Sequence, residues 1–347
     1  MSFGGFVSGN PIGKSGRWNT FNVFRGLPFQ PMVASGGNTI EDVTVEGVTY
    51  RVHSFTTVGS SSFVVANPGD SNEVEYLVIA GGGGSAGGGG GAGGYRSSVV
   101  GEDSGGGNSA ETTLTLAGGV YTITVGAGGA GGSNTDASSG SPSIFAEVSA
   151  VGGGAGGATG SVGVLGGSGG GGNAYASSSD KAGGAGTSLQ GFAGGSGNGN
   201  PADGSQSAGG GGGASEAGAN GSASAGGNAG DGVASSITGS SVTRAGGGGG
   251  GKRDGSQTMG AGGAGGGGDA VSSGTGNAGA ANTGSGGGGS QRNDTGGAGG
   301  SGVVIFALPV QATATFSAGV TENSSVVGAN RVYTVTETDP GSTVTIG

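Results

Sequence analysis

Apolar and polar residues alternate along several short stretches of the chain, a pattern typical of β-strands with one buried face. In the first eighty residues, Val43–Val45 and Val48–Val52 alternate on either side of a two-residue turn. Phe63–Val65 and Val74–Ile79 are further apolar runs bounded by turn residues. The pattern therefore predicts a β-strand region over residues 37–80.

The same pattern returns later in the chain, separated by glycine-rich sequence. Leu114–Leu116 and Val120–Val125 flank a glycine turn, which predicts a β-hairpin near residues 112–125. Ser143–Val151 reads as one further strand. The C-terminal region, residues 303–347, is predicted to hold strands at Val303–Leu308, Arg331–Thr336 and Ser342–Ile346. No stretch has the spacing of an amphipathic helix, so essentially no α-helix is expected.

Between these strands lies a block of glycine, residues 81–302. All but fifteen of the 99 glycines of the chain fall within it. Sequence rich in glycine and serine is often a flexible linker, but apolar strand-like segments interrupt this block and close it. A collagen triple helix requires glycine at every third position, and the runs of four to six glycines break that register.

The remaining interpretation is a set of short polyglycine II helices. Such a helix has three residues per turn and no internal hydrogen bonds, so every N–H and C=O points outward. Buried backbone groups must be paired, and segments without Cβ atoms can approach closely enough to pair with one another. The fold class predicted is mostly β and irregular: a layered sandwich of polyglycine II helices flanked by short antiparallel strands.

Residues 1–36 differ from the rest of the chain. They contain three basic residues, six of the eighteen aromatic residues and no acidic residue. One interpretation is that the aromatic side chains fold back onto the β-strand region. The other is an extended arm that anchors the protein to a larger assembly, because aromatic residues and arginine dominate buried interface centres. The anchor candidates are Phe3, Phe6, Arg17, Trp18, Phe21, Phe24, Arg25 and Phe29.

Charge and composition limit the classes of partner and of site that can be expected. The formal net charge is −10, which argues against a nucleic-acid partner. Cysteine is absent, so neither disulfide bonds nor thiolate metal sites are expected. No apolar run is long enough for a membrane span, which predicts no membrane insertion. The first residues lack the basic and apolar regions of a signal peptide, which predicts synthesis and assembly in a cytoplasm.

Two boundary motifs resemble a known family. Val74–Ile79 runs directly into Gly81–Gly84, and Gly299–Gly302 runs into Val303–Ile305. The first resembles the VEYLV-type strand that opens the glycine-rich domains of tail-fibre and tail-tip adhesins of tailed bacteriophages. The second resembles the GGSGVVI-type strand that closes them. Tyr50–Thr56 and Thr122–Gly129 are also similar to strands of that family, and the resemblance covers roughly residues 39–308.

The resemblance implies a non-enzymatic virion protein that presents loops of a polyglycine II sandwich to a host-surface receptor. It implies a position at the surface of the virion, in a fibre or tail tip. The predicted partners are other tail or capsid proteins, bound through residues 1–36, and the host cell-surface receptor. A homo-oligomer is expected, with a trimer favoured. Two alternatives stay open: a purely structural virion decoration or fibre protein without receptor binding, and an extracellular surface-filament protein.

Receptor contacts are expected where larger side chains interrupt the glycine runs, because these positions form the turns between helices. Tyrosine and arginine among small polar residues form adhesive surfaces of the kind seen in antibody loops. The candidates are Tyr95, Arg96, Asn173, Tyr175, Lys181, Phe192, Asn198, Asn200, Lys252, Arg253, Gln291, Arg292 and Asn293.

No motif supports catalysis, a cofactor or a metal. Gly9–Ser15 imitates a phosphate-binding loop but is one residue short, and Arg253 stands where a loop opening at Gly246 requires Ser or Thr. His53 is the only histidine and lies at a strand position. Two stretches, Gly226–Val233 and Ala264–Val271, come within one residue of a calcium-binding repeat but are not in tandem. No catalytic residue, metal ligand or cofactor is predicted.

Overall fold

The computed structural model describes residues 30–45, 48–70, 72–134, 137–199, 205–254 and 258–310. Beyond these it gives the backbone of the strand residues 314–316, 320–327, 330–338 and 344–346. All eight anchor candidates and the receptor-contact candidate Asn200 lie outside the described residues. Within the described residues no helix has the length and apolarity needed to cross a membrane.

The regular elements of the described residues are strands, with one short 3-10 helix at Gly105–Gly107. This confirms a mostly β fold. The strands are β1 (Val33–Ser35), β2 (Thr39–Val45), β3 (Val48–Phe55), β4 (Gly59–Asn67), β5 (Glu73–Ile79), β6 (Tyr95–Ser97), β7 (Leu114–Thr115), β8 (Gly119–Val125), β9 (Ser143–Phe145), β10 (Val148–Ala150), β11 (Val233–Ser235), β12 (Val242–Arg244), β13 (Val303–Pro309), β14 (Ala314–Phe316), β15 (Val320–Val327), β16 (Asn330–Thr338) and β17 (Val344–Ile346).

Two antiparallel sheets face each other and form a β-sandwich. One sheet has the strand order β1-β4-β8-β9-β10, and the other has the order β2-β3-β13-β5-β6, with β7 attached to β5. Alternate residues of each strand point into the space between the sheets, as the period of two requires. Phe306 lies at the centre of this core, with ring centroids 4.5 Å from both Phe63 and Phe145.

The apolar run Val303–Leu308, which closes the glycine-rich block, is continuous rather than alternating because of the position of β13. It lies between β3 and β5, and both of its faces are buried. Val304 and Phe306 point into the β-sandwich core. Val303 and Ile305 pack on the opposite face, against a second apolar cluster that includes Val233 of β11. The six-stranded sheet is thus covered on one side by the other sheet and on the other by part of the glycine-rich block.

Two expectations from the sequence are wrong in their pairing. Residues 114–125 do not form a hairpin, because β7 pairs with β5 whereas β8 pairs with β4 and β9. Leu114 and Ile123 still reach the same core, but from different sheets. The stretch 143–151 is a tight β9-β10 hairpin rather than one strand. The division of the chain into four regions at residues 36, 80 and 302 stays a prediction.

The glycine-rich block is a bundle of extended segments that hydrogen-bond to one another with a period of three. Segment 88–94 shows the pattern most completely. The amides of Gly88, Gly91 and Gly94 donate to the carbonyls of 157, 154 and 151, at 3.3, 2.9 and 2.7 Å. The amides of residues 89 and 92 donate to a second neighbour, and those of 90 and 93 donate to a third. This threefold rotation of donors is the polyglycine II helix.

The carbonyls of segment 88–94 accept from three other segments, so it has six neighbours. The neighbours also bond to each other in a closed ring. The inner ring consists of segments 80–85, 151–157, 168–173, 207–213, 245–251 and 284–290. Eleven further segments form an outer ring: 126–132, 137–142, 162–167, 181–187, 192–197, 217–222, 225–232, 258–264, 266–271, 275–280 and 295–302.

The packing between segments leaves no room for side chains. A Cβ built on Gly89 would lie 1.9 Å from the carbonyl oxygen of Gly248. A Cβ on Gly248 would in turn lie 1.9 Å from the carbonyl oxygen of Gly287. Ala92 of the central segment lies where that segment meets the second apolar cluster. Glycine at the segment contacts is therefore a packing requirement.

His53 lies in the β-sandwich core. Its ring is fully buried and stacks on Phe306 at a centroid distance of 5.5 Å. Its Nδ1 lies 2.7 Å from the carbonyl oxygen of Gly36, so Nδ1 carries the proton and donates. Among the described residues Nε2 has no hydrogen-bond partner. Burial is the main cause that lowers the pKa of His53 below its ordinary value, and the hydrogen bond to Gly36 offsets part of that effect.

We expect His53 to make the fold less stable in mild acid. Because the folded pKa lies below the unfolded value of about 6.5, the unfolded chain binds more protons as the pH falls below that value. The free energy of unfolding should fall by up to about 1.4 kcal/mol per pH unit, until the folded pKa is reached. Chemical denaturation between pH 7.5 and 5.5, compared with His53→Gln, isolates this contribution from that of the carboxylates. An equal pH dependence of the two proteins would contradict the assignment.

Candidate functional site: the distal face

The two ends of the glycine-rich bundle are different. Segment 80–85 leaves β5 of the β-sandwich, and segment 295–302 returns to β13. Consecutive segments are antiparallel, so alternate loops lie at the sandwich end and at the opposite end. We call the described loops of the opposite end the distal face: residues 86–87, 133–134, 158–161, 173–181, 198–199, 205–207, 222–225, 252–254, 271–275 and 290–295.

Three of the receptor-contact candidates lie at the sandwich end. Tyr95 is fully buried in the second apolar cluster, and burial is the main cause that raises its pKa. Arg96 forms an ion pair with Glu111, whose carboxylate also accepts the hydroxyl of Tyr76 at 3.0 Å. Phe192 is half-buried beside the loop at Gly107. Tyr95 is buried and stabilises the junction between sandwich and bundle, which corrects its assignment to a contact surface. Arg96 is paired but partly exposed, and its assignment stays a prediction.

Two further candidates form the floor of the distal face. Asn173 and Tyr175 are buried, with at most 1% of either residue exposed. The Asn173 amide donates to the carbonyl of Ala86 at 3.3 Å, and its Oδ1 accepts the Tyr175 amide at 2.9 Å. The Tyr175 hydroxyl donates to the carbonyl of Ser290 at 2.9 Å. Their assignment as contact residues is corrected, because both side chains complete backbone hydrogen bonds of the loops.

Lys252 is the third buried candidate on this end. Lys252 is fully buried. Its Nζ donates to the carbonyl oxygens of Ser205, Ser222 and Ala223, at 3.2, 3.4 and 2.8 Å. The ammonium therefore joins three chain segments of two neighbouring loops. A buried charge held in this way requires its hydrogen bonds, so Lys252 is a positioning residue rather than a contact.

The remaining described candidates form the rim. Arg253, Gln291 and Arg292 are partly exposed and Asn293 is exposed. Nη1 of Arg253 donates to Oε1 of Gln206 at 2.7 Å, and the amide of Arg292 donates to the carbonyl of Arg253 at 3.4 Å. These contacts bring the loops at 252–254 and 290–295 together, although they are far apart in sequence.

Lys181 and Asn198 lie at another part of the rim, and both are partly exposed. Their loops meet through the amide of Gly199, which donates to Oδ1 of Asp180 at 2.9 Å. Nζ of Lys181 lies 3.5 Å from the hydroxyl of Ser179. The rim therefore consists of loops that interlock through side chains.

Asn134 and Gln206 are organising residues that the sequence did not single out. Oδ1 of Asn134 accepts both the amide of Asn293 at 3.2 Å and the hydroxyl of Thr159 at 3.1 Å. Gln206 is buried, and its Oε1 accepts the amide of Ala176 at 3.1 Å as well as Arg253. Asn134 has a φ of 52°, a left-handed conformation that asparagine tolerates. The one signal in the sequence was the position of Asn134 between two glycine runs. Many other asparagines of the block have the same position.

In the two stretches that resemble a calcium-binding repeat, the carboxylates accept backbone amides. Oδ1 of Asp231 accepts the amide of Ala264 at 2.7 Å, and Oδ1 of Asp269 accepts the amide of Gly262 at 2.8 Å. Three residues before Asp231, Asn228 accepts the amide of Ala261 at 3.0 Å. These side chains cap the outward amides of the outer segment 258–264. Among the described residues no group of acidic or histidine side chains could hold a metal ion.

The chain enters the described structure at the β-sandwich. The described chain begins at Gln30, whose amide donates to Oδ2 of Asp70 at 2.8 Å. Met32 is buried in the β-sandwich core and Val33 opens β1. The N-terminal segment therefore joins the molecule at the β-sandwich, at the end of the bundle opposite the distal face.

Comparison with known proteins is consistent with the bundle. No curated protein matches the sequence of this chain. The model of a family described as a glycine-rich domain matches residues 56–309, which include strands β4 to β13 and all segments of the bundle. The chain therefore belongs to the glycine-rich domain family.

Proposed function

We propose that the protein is a non-enzymatic bacteriophage virion protein, a tail fibre or tail-tip adhesin that contacts a host-surface receptor through its distal face. One observation supports this above the others. The interlocked polar loops lie at one end of a rigid bundle, and the N-terminal segment enters at the other. That separation suits a protein that attaches by one end to a particle and presents the other end outward.

The rigidity of the support favours recognition over a purely structural role. Binding loops are commonly held by a rigid scaffold, and pre-organised loops lose less conformational entropy on binding. Here each loop is fixed by backbone bonds of the two segments that it joins, and by contacts such as Asn134 to Asn293. A decoration protein without a receptor needs no such side-chain network at a free end.

A steric block of the distal face tests this proposal. Ser178 and Ser273 are exposed on two distal loops, and tryptophan at both positions should lower binding of the labelled protein to host cells at least tenfold. Val100 and Val120, which are 78% and 70% exposed on the β-sandwich, accept the same double substitution as a matched control. Binding is measured by titration on a panel of bacterial strains.

The alternatives correspond to distinct results. Binding to no strain would contradict the adhesin proposal and favour the structural virion role. Equal loss of binding with the Val100→Trp/Val120→Trp control would place the contact surface elsewhere on the molecule. Attachment to virions through residues 1–36 is tested separately, by incorporation of a chain that lacks them.

A further inference from the structure

The distal face contains a positively charged cluster in a protein whose net charge is −10. Its members are Lys252, Arg253 and Arg292, and we call them the basic cluster. The amide of Arg292 donates to the carbonyl of Arg253, so the two arginines start from adjacent points of neighbouring loops. Lys252 precedes Arg253 in the chain, and its ammonium is bound to carbonyl oxygens.

Neither guanidinium of the basic cluster is neutralised within the described part of the chain. The ion pairs found there join Arg51 to Asp42 and Arg96 to Glu111, both at the sandwich end of the molecule. Asp294, two residues after Arg292, accepts the amide of Gly274 at 2.8 Å instead. By contrast Arg253 is held by the neutral side chain of Gln206. The guanidinium groups of Arg253 and Arg292 thus keep their positive charge at the partly exposed rim.

The guanidinium of Arg253 is held in place by a buried side chain. Gln206, which orients Arg253, is buried and bonded on its other side to the carbonyl of Ser177. Two guanidinium groups without a carboxylate partner among the described residues suit an anionic ligand, because arginine binds carboxylate and phosphate groups through parallel hydrogen bonds.

The surrounding surface distinguishes between kinds of anionic partner. Val162 is the single exposed large apolar residue in or beside the described distal loops, and the exposed positions there are mainly serine, threonine, asparagine and aspartate. Protein interfaces are centred on aromatic and aliphatic anchors, which this face lacks. Single-stranded nucleic-acid sites stack bases on aromatic side chains, and no aromatic side chain is exposed on the described distal face. A hydroxylated, acidic polymer matches the surface best.

We infer that Arg253 and Arg292 form a binding site for the acidic groups of an anionic cell-surface polysaccharide. The inference deepens the proposed function and rests on it for the biological context, since a receptor-binding face is what the site would serve. Binding itself requires only that the two guanidinium groups reach carboxylate or phosphate groups along the polymer.

The site is tested on the purified full-length protein with defined polymers. Polygalacturonate supplies carboxylates, polyphosphate supplies phosphates and dextran is the neutral control. We expect the wild-type protein to bind one or both anionic polymers and not dextran, with affinity that falls as salt rises. Arg253→Gln/Arg292→Gln should weaken that binding at least tenfold. Arg253→Lys/Arg292→Lys should restore part of it, because lysine keeps the charge and loses the paired donors.

The control is Arg51→Gln, which removes one exposed charge from the β-sandwich and should leave polymer binding unchanged. Unchanged thermal melting of each variant shows that the fold is intact. Equal binding by wild type and the double glutamine variant would overturn the site, as would equal binding of dextran. If the glutamine variant loses polymer binding but attaches normally to host cells, the site stands and the receptor role of the face fails.

Discussion

Replacing Gly248 by alanine is expected to lower the free energy of unfolding by about 3 kcal/mol or more, at the upper end for an overpacked core. The added Cβ would lie 1.9 Å from the carbonyl oxygen of Gly287 and 2.5 Å from its carbonyl carbon. Those atoms are backbone and cannot rotate away. The segments must move apart, and the hydrogen bond from the amide of Gly248 to the carbonyl of Gly90, 2.8 Å long, must lengthen with them.

Gly118→Ala is the matched control for this substitution. Gly118 is exposed, and the nearest atoms to an added Cβ lie 3.7 and 3.9 Å away. The same chemical change there should alter stability by less than about 0.5 kcal/mol, as surface substitutions usually do. Urea denaturation of both variants measures the difference. If Gly248→Ala melts like the wild type, segment 245–251 is not packed against its neighbours as described.

The second large effect is expected at Phe306, where alanine should lower the free energy of unfolding by about 3–5 kcal/mol. The Phe306 ring contacts Phe63, Phe145, Phe55 and His53 at centroid distances of 4.5 to 5.6 Å. Its removal leaves a cavity between the two sheets that the aromatic neighbours cannot fill without leaving their rotamers. Because β13 also closes the glycine-rich bundle, the loss should destabilise bundle and β-sandwich together.

Val120→Ala serves as the control for Phe306→Ala. Val120 is 70% exposed on β8, so its truncation removes little buried surface. Denaturation followed by tyrosine fluorescence and by far-ultraviolet circular dichroism should show one common transition for wild type. Two separate transitions in the Phe306 variant, with the bundle melting unchanged, would contradict the coupling between the two parts.

The sequence predicted the strands better than their partners. β5 and β13 were recognisable because their apolar runs need burial on both faces. The supposed hairpin at residues 114–125 failed because β8 pairs with β4, more than fifty residues earlier, and a glycine turn does not by itself decide between local and distant partners. The polyglycine II conformation followed from the lack of side chains, but the ring of six segments around 88–94 did not, because glycine gives no sign of which neighbour it faces.

At the candidate site, the sequence likewise predicted where loops lie but not which way their side chains point. Large side chains between glycine runs do mark loops, as Asn173, Tyr175 and Lys252 show. Whether such a side chain points to solvent or folds back depends on the unpaired carbonyls and amides of the loops around it. Lys252 turns inward because three carbonyl oxygens converge on it. That convergence involves residues about thirty and fifty positions away, so no local pattern reports it.

The central claim is that backbone hydrogen bonds between threefold segments give the glycine-rich block its shape. Amide hydrogen exchange tests it most directly, because each amide of segment 88–94 donates to a neighbouring segment whereas those of Ala127 and Ala130 on the outer segment 126–132 have no acceptor among the described residues. We expect strong protection across 88–94, near the stability of the whole fold, with rapid exchange at Ala127 and Ala130. Uniformly rapid exchange across residues 88–94 would contradict the claim.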